Sequence, residues 1–176
     1  MTETSDLAVH PLDGYPPMLG AALWMLGDTR ARTLAAAAGV TDRAVDAVPP
    51  GLPNTIGSLL YHIAAIEADW LYADILGEEY PDWMEAVFPH DVREEDGRLT
   101  PVLGETLQSH LERMASVRER FLADIRAVSD DDFVRVRETV SGMVSPQWVL
   151  HHLGQHEGEH RGQLQSAVTA LSASGS

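Results

Sequence analysis

Four stretches of the chain place apolar side chains at the three- and four-residue spacing that brings them onto one face of an α-helix. Three of these predicted helices span residues 16–39, 54–76 and 145–171. The remaining one, third in chain order, spans residues 104–128 and places apolar side chains at Leu107, Leu111, Met114, Val117, Phe121 and Ile125. Long helices with few strand signals predict an all-α protein, a four-helix bundle.

Residues that favour helix ends support these boundaries. Pro16-Pro17 suits a first helical turn, and Gly39 suits a stop. The pair Asn54-Thr55 can cap the second helix, and Ser145-Pro146 can cap the fourth.

The predicted helices are joined by segments of three kinds. Thr41–Pro53 suggests a short helical turn and a Pro-rich connector. Gly77–Leu103 is a long loop between the second and third helices, and loops of this length are usually functional. Phe133–Arg137 alternates as a strand does, but an isolated strand has little to pair with. We therefore expect an extended crossover there.

Composition excludes several classes of function. With 12 basic and 27 acidic residues the net charge is -15, which disfavours nucleic acid and anionic membrane surfaces as partners. The absence of cysteine excludes disulfides and thiolate ligands. No apolar run approaches the ~18 residues of a membrane span, and Met1–His10 does not resemble a signal peptide. We expect one cytoplasmic domain, residues 1–176, with its core at about 15–171 and short, disorder-prone termini.

Two histidines of the fourth helix suggest a metal site. His156 and His160 are one helical turn apart, on the apolar stripe that should face the bundle core, and can hold one divalent ion. His62 lies on the corresponding face of the second helix and is the candidate third ligand. Glu157 and Arg161 fall to the side or back of the stripe. Three neutral imidazoles would leave coordination positions open, as in catalytic sites.

The spacing alone leaves alternatives. His152 is one turn before His156, so these two could form the pair instead, or the inward histidines could be hydrogen-bonded core residues without a metal. His151 points elsewhere, to the rim. The remaining histidines have no partner at ligand spacing and are expected at the surface: His10, His90 and His110.

Polar residues near the predicted ligands could orient a water, an imidazole or a substrate. They could equally be ordinary residues of the helix flanks. These candidates are His152, Asp69, Glu159 and Gln163.

Two motifs carry a family resemblance. Asn54–Ile63 resembles the second-helix signature of the DinB-like (YfiT-like) metalloenzymes, and His156–Gln163 resembles their fourth-helix signature. The likeness extends from about Tyr15 to Leu171. It implies a four-helix bundle with a divalent ion, zinc or nickel, on His62, His156 and His160. Glu159 stands where many relatives have a further histidine, but that position is not a ligand.

The resemblance also implies a chemistry. Relatives are S-transferases or isomerases that use a low-molecular-weight thiol, such as mycothiol, on a small electrophilic substrate. A thiol bound near a cation has a lowered pKa and attacks as thiolate. A homodimer is one alternative for the assembly, and we expect neither nucleic acid nor membrane as a partner.

Two other functions fit the same residues. A metal-dependent hydrolase would use water as the nucleophile. A non-enzymatic metal-binding or stress-response bundle would bind metal without affinity for a thiol. For the long loop, we hypothesise that Trp83 and Phe88 cover the open side of the metal.

Overall fold

A computed structural model of the protein describes residues 7–174, and the predicted bundle is present in it. Of the seven helices in these residues, α1, α3, α5 and α7 are long and α2, α4 and α6 are short. In chain order they are α1 (Pro17–Ala37), α2 (Asp42–Val45), α3 (Ile56–Trp70), α4 (Trp83–Val87), α5 (Leu107–Asp124), α6 (Asp130–Val134) and α7 (Pro146–Ser174). The sequence thus predicted the fold class and all four long helices.

Local side-chain chemistry explains where the long helices begin. The Thr55 hydroxyl accepts a hydrogen bond from the Ser58 N–H at 3.1 Å, as expected for the cap of α3. Thr106 caps α5 in the same way, through the N–H of Ser109. Pro17 and Pro146 occupy the first helical positions of α1 and α7, where a missing N–H costs nothing.

The end of α3 differs from the sequence expectation of one continuous helix. The α-helix ends at Trp70, and Leu71–Leu76 continues it as a π-helical turn, a form often found at functional sites. Gly77 stops the turn with a positive φ of 68°, a conformation that glycine adopts without strain.

The expected extended crossover at Phe133–Arg137 is wrong. Phe133 is buried in α6, whereas Arg137 starts a two-stranded antiparallel hairpin, β1 (Arg137–Thr139) and β2 (Gly142–Val144). The hairpin is anchored on the π-helical turn, because the buried Asp74 carboxylate accepts hydrogen bonds from the hydroxyls of Thr139 and Ser141.

Helix α7 packs against both α1 and α3, and α3 packs against α5. The core consists of two large apolar clusters, one centred on α1 and the first half of α7, the other on α3, α5 and the second half of α7. The first cluster includes Leu23, Phe121, Phe133 and Leu153. The second includes Leu59, Ile63, Met114 and Leu164. A smaller third cluster lies around Tyr61.

A network of buried charges crosses the bundle between the clusters. It consists of four side chains, one from each long helix: Arg30, Glu67, Arg118 and Glu157. Arg30 forms two hydrogen bonds to Glu157, of 2.8 and 3.2 Å, and also donates to Glu67. Arg118 pairs with the same two carboxylates. The expectation that Glu157 falls to the side or back of the core-facing stripe is wrong, since the residue is only 2 % exposed.

The structure describes the ends of the chain only in part. Helix α7 continues through Ser174, so residues 172–174 are helical. Residues 1–6 and 175–176 lie outside the described part. Within residues 7–174, every helix is too short or too polar to span a bilayer.

Candidate metal centre

Three histidines from two helices meet between α3 and α7. His62 projects from α3, and His156 and His160 project from successive turns of α7. The Nε2 atom of His156 lies 3.0 Å from that of His62 and 3.1 Å from that of His160. Among the described residues these three form the one group of histidine and carboxylate side chains placed to share an ion, with ligand atoms within 4.8 Å of one another. We call them the triad.

Hydrogen bonding alone cannot satisfy the triad. A ring nitrogen carries either one proton or one lone pair, so Nε2 of His156 cannot donate to one neighbour and accept from the other. His62 is 1 % exposed and His160 9 %, which leaves little water to compensate. A divalent cation between the rings would accept all three lone pairs at once, so the donor set fits a metal ion.

The surroundings keep the triad in the form that binds metal. Burial, followed by the charges of the other two rings, lowers the pKa of His62 to about 3. Burial and the charges of His160, His152 and Arg93 do the same for His156, to about 3. Burial also lowers the pKa of His160, although its hydrogen bond to Gln163 opposes the shift. At neutral pH all three imidazoles are therefore uncharged.

The four polar residues predicted to assist the site have different contacts. Gln163 Oε1 lies 3.3 Å from Nδ1 of His160, which places the ring proton on Nδ1 and the lone pair on Nε2, toward the triad. His152 lies beside His156, with ring centroids 6.2 Å apart. Asp69 instead accepts a hydrogen bond from the Tyr80 hydroxyl, and Glu159 is exposed. Of these four residues, Gln163 alone forms a hydrogen bond to a triad ring.

The sequence profile of the DinB superfamily matches residues 25–164, which include the triad and all four long helices in whole or in part. The chain belongs to the DinB superfamily. A crystal structure of a conserved protein from Enterococcus faecalis is similar to this DinB protein, with a TM-score of 0.62 and 16 % sequence identity. The match covers 83 % of this chain and 92 % of the other, and shows the shared fold. None of the curated proteins matches the chain.

One charged residue near the triad of this DinB protein carried no signal in the sequence. The Arg93 guanidinium lies close enough for its positive charge to lower the pKa of all three imidazoles. Its backbone pairs with Leu99, which packs in the same apolar cluster as Leu59 and Ile63 on either side of His62. Arg93 belongs to a run of charged residues in the long loop, where one arginine cannot be distinguished from its neighbours by composition.

The long loop is fastened to α3 and α5. The Tyr61 hydroxyl donates to the backbone oxygen of His90 at 2.7 Å and accepts from its N–H at 3.0 Å. Arg113 of α5 donates to the backbone oxygen of Val87, and Ser58 of α3 accepts from the N–H of Val102. These bonds hold the loop against the α3–α5 side of the bundle.

The aromatic residues of this loop do not cover the triad as hypothesised. Trp83 contacts the ring of Tyr72 and lies under the guanidinium of Arg120 on α5. Phe88 packs edge-on against Tyr61, with ring centroids 5.5 Å apart. Both rings are therefore on the α3–α5 side of the bundle, whereas the triad is between α3 and α7.

The other histidines divide between surface and core. His10, His90 and His151 are exposed, as predicted. The prediction for His110 is wrong, because its side chain is fully buried. Its Nδ1 lies 3.1 Å from the guanidinium of Arg113, and its Nε2 has no hydrogen-bond partner within the described residues.

Proposed function

We propose that this DinB protein is a divalent-metal-dependent enzyme whose ligands are His62, His156 and His160. The observation that carries the proposal is the convergence of three uncharged Nε2 atoms on one point between two helices. Zinc and nickel are the ions we expect, since imidazole nitrogen suits both.

When bound, the ion would act as a Lewis acid and lower the pKa of a coordinated thiol or water. The chain's own residues prepare the site for it. Gln163 holds the proton of His160 on Nδ1, and burial keeps the triad uncharged. Arg93 adds a positive charge nearby, which favours an anionic thiolate or substrate group in the site.

We further propose that the nucleophile is a low-molecular-weight thiol of the mycothiol type, transferred to or added to a small electrophile in a transferase or isomerase reaction. The absence of cysteine supports a thiol supplied by a co-substrate rather than by the protein. A thiol of this kind would place the reaction in the cytoplasm. Light scattering of the purified protein would test whether it is a homodimer.

Metal analysis tests the ligand assignment. Wild type, dialysed after loading with Zn²⁺, is expected to retain about one equivalent, and His160→Ala much less, because two imidazoles hold zinc weakly. His151→Ala, which removes an exposed histidine from the same helix, is the matched control and should retain the ion. Equal retention by His160→Ala and wild type would show that His160 is not a ligand.

The thiol requires its own assay. Co²⁺-loaded protein titrated with mycothiol should develop a thiolate-to-metal charge-transfer band, and His62→Ala should not. A panel of small electrophiles is then assayed with and without the thiol. Turnover that needs no thiol would instead indicate the metal-dependent hydrolase, and metal binding with neither thiol binding nor turnover would indicate a non-enzymatic protein.

A further inference from the structure

Three aromatic side chains form a compact group at the end of the α3–α7 interface. The ring of His152 is stacked on that of Trp148, with centroids 5.0 Å apart and an interplanar angle of 4°. Trp70 approaches both, at 4.8 Å from His152 and 5.7 Å from Trp148. We call Trp70, Trp148 and His152 the aromatic cluster.

The aromatic cluster continues the triad along the same interface. On α7, His152 is one turn before His156, and their ring centroids are 6.2 Å apart. On α3, Trp70 is about two turns beyond His62. Because the two helices run in opposite directions here, both steps lead away from the triad toward the same end. A small molecule bound at the triad and extending that way would meet these rings.

Part of the aromatic cluster is accessible to solvent. Trp148 is 46 % exposed, and both Trp70 and His152 are half-buried. His152 has ring contacts only, so in the described part of the chain neither of its ring nitrogens has a hydrogen-bond partner. Stacking thus fixes the orientation of the imidazole while leaving its nitrogens available to a ligand.

We propose that the aromatic cluster is a subsite for a planar ring on a ligand that also reaches the metal, with His152 hydrogen-bonding a heteroatom of that ring. The inference rests on the metal site of the proposed function and adds a substrate class, electrophiles that carry an aromatic or unsaturated ring. The exposed part of Trp148 can take a further planar ring, because aromatic pairs attract each other by more than their buried area contributes.

Two metal-chelating probes that differ in a ring test the subsite. Zn²⁺-loaded protein is titrated calorimetrically with acetohydroxamate and with benzohydroxamate, which share the chelating group. The ratio of the benzohydroxamate to the acetohydroxamate binding constant should be about 3- to 10-fold larger in wild type than in the alanine variants. Trp148→Ala and Trp70→Ala should lose this preference, and Trp148→Phe should retain most of it.

Trp24→Ala is the matched control, since it removes a half-buried tryptophan of α1 that contacts His10 rather than the cluster. It should keep the wild-type preference. If acetohydroxamate binds and the preference is the same in wild type and both alanine variants, the subsite is wrong and the metal centre stands. If wild type holds no zinc and binds neither probe, the metal centre and the subsite are both wrong.

Discussion

At the residue scale, His110 is a group whose protonation the fold opposes. Arginine can only donate, so Nδ1 of His110 accepts from Arg113, and a proton added there would face the guanidinium. Burial lowers the pKa of His110, and the charge of Arg113 adds to the shift against the opposing charges of Glu105 and Asp46. The folded state therefore binds this proton less readily than the unfolded chain does.

The sign of the resulting pH dependence follows from linkage. Above pH 6.5, the ordinary pKa of a histidine side chain, the group is neutral in both states and contributes no pH dependence. Below that pH the unfolded chain takes up the proton first, so the free energy of unfolding falls as the pH is lowered. One such group can account for at most about 2 kcal/mol between pH 6.5 and pH 5.

We predict that His110→Leu makes the metal-free protein less sensitive to acid. The measurement is urea unfolding at pH 7.5 and pH 5, and the difference between the two free energies should be smaller in the variant than in wild type. His151→Leu, at an exposed position of α7, should leave the difference unchanged. Equal differences in His110→Leu and wild type would contradict the prediction.

The contrast between His110 and the triad shows what spacing can predict. His156 and His160 are related by one helical turn, and His62 lies on the corresponding apolar face of its own helix, so the local pattern was sufficient to group the three. His110 lies against Gly57, which belongs to another helix, so its burial could not be predicted from its own neighbours in the sequence. Glu157 was missed for the same reason, because its partners Arg30 and Arg118 come from two other helices.

At the scale of elements, α3 approaches its neighbours closely at Gly57. A Cβ atom there would lie 2.9 Å from Nε2 of His110 and 3.0 Å from a methyl carbon of Val45. The glycine is thus required by space rather than by backbone conformation. It lets Val45 of α2 and His110 of α5 pack directly onto the first turn of α3, about one and a half turns before His62.

We predict that Gly57→Ala destabilises the protein by about 1–3 kcal/mol, since the added methyl group must displace buried neighbours. Gly27→Ala in α1 is the matched control. A Cβ there meets nothing within 4 Å, so the better helix propensity of alanine should leave stability equal or raise it by up to about 1 kcal/mol. Chemical denaturation of both variants compares them, and the same change in both would show that Gly57 has no special packing role.

Element boundaries were predicted where the determinants are local. Thr55 and Pro146 act within one turn of their own helix, and the long helices begin where they indicate. The hairpin was missed because β1 needs a partner strand, and its anchor Asp74 is distant in the chain. The π-helical turn at Leu71–Leu76 likewise had no local signal.

At the scale of the whole molecule, the buried charge network joins all four long helices. Two cations and two carboxylates balance, and each charge is paired: Arg30, Glu67, Arg118 and Glu157. Burial opposes ionisation of Glu67, but the charges of Arg118 and Arg30 outweigh it and lower the pKa of this carboxyl group. Apolar side chains tolerate several packing registers, whereas paired charges fit few, so we expect the network to favour the arrangement that brings α3 and α7 together at the triad.

We therefore predict that Glu157→Gln, which keeps the shape and removes the charge, destabilises the protein by about 3–5 kcal/mol, because it leaves one buried positive charge uncompensated. Asp28→Asn is the matched control: it removes the partner of Arg32 in an exposed pair on α1 and should cost no more than about 1 kcal/mol. Urea unfolding measures both variants. Since Glu157 adjoins His156 in the sequence, the zinc affinity of the folded variant should fall as well. A variant with the stability and the zinc affinity of wild type would show that the network does not set the register of α7.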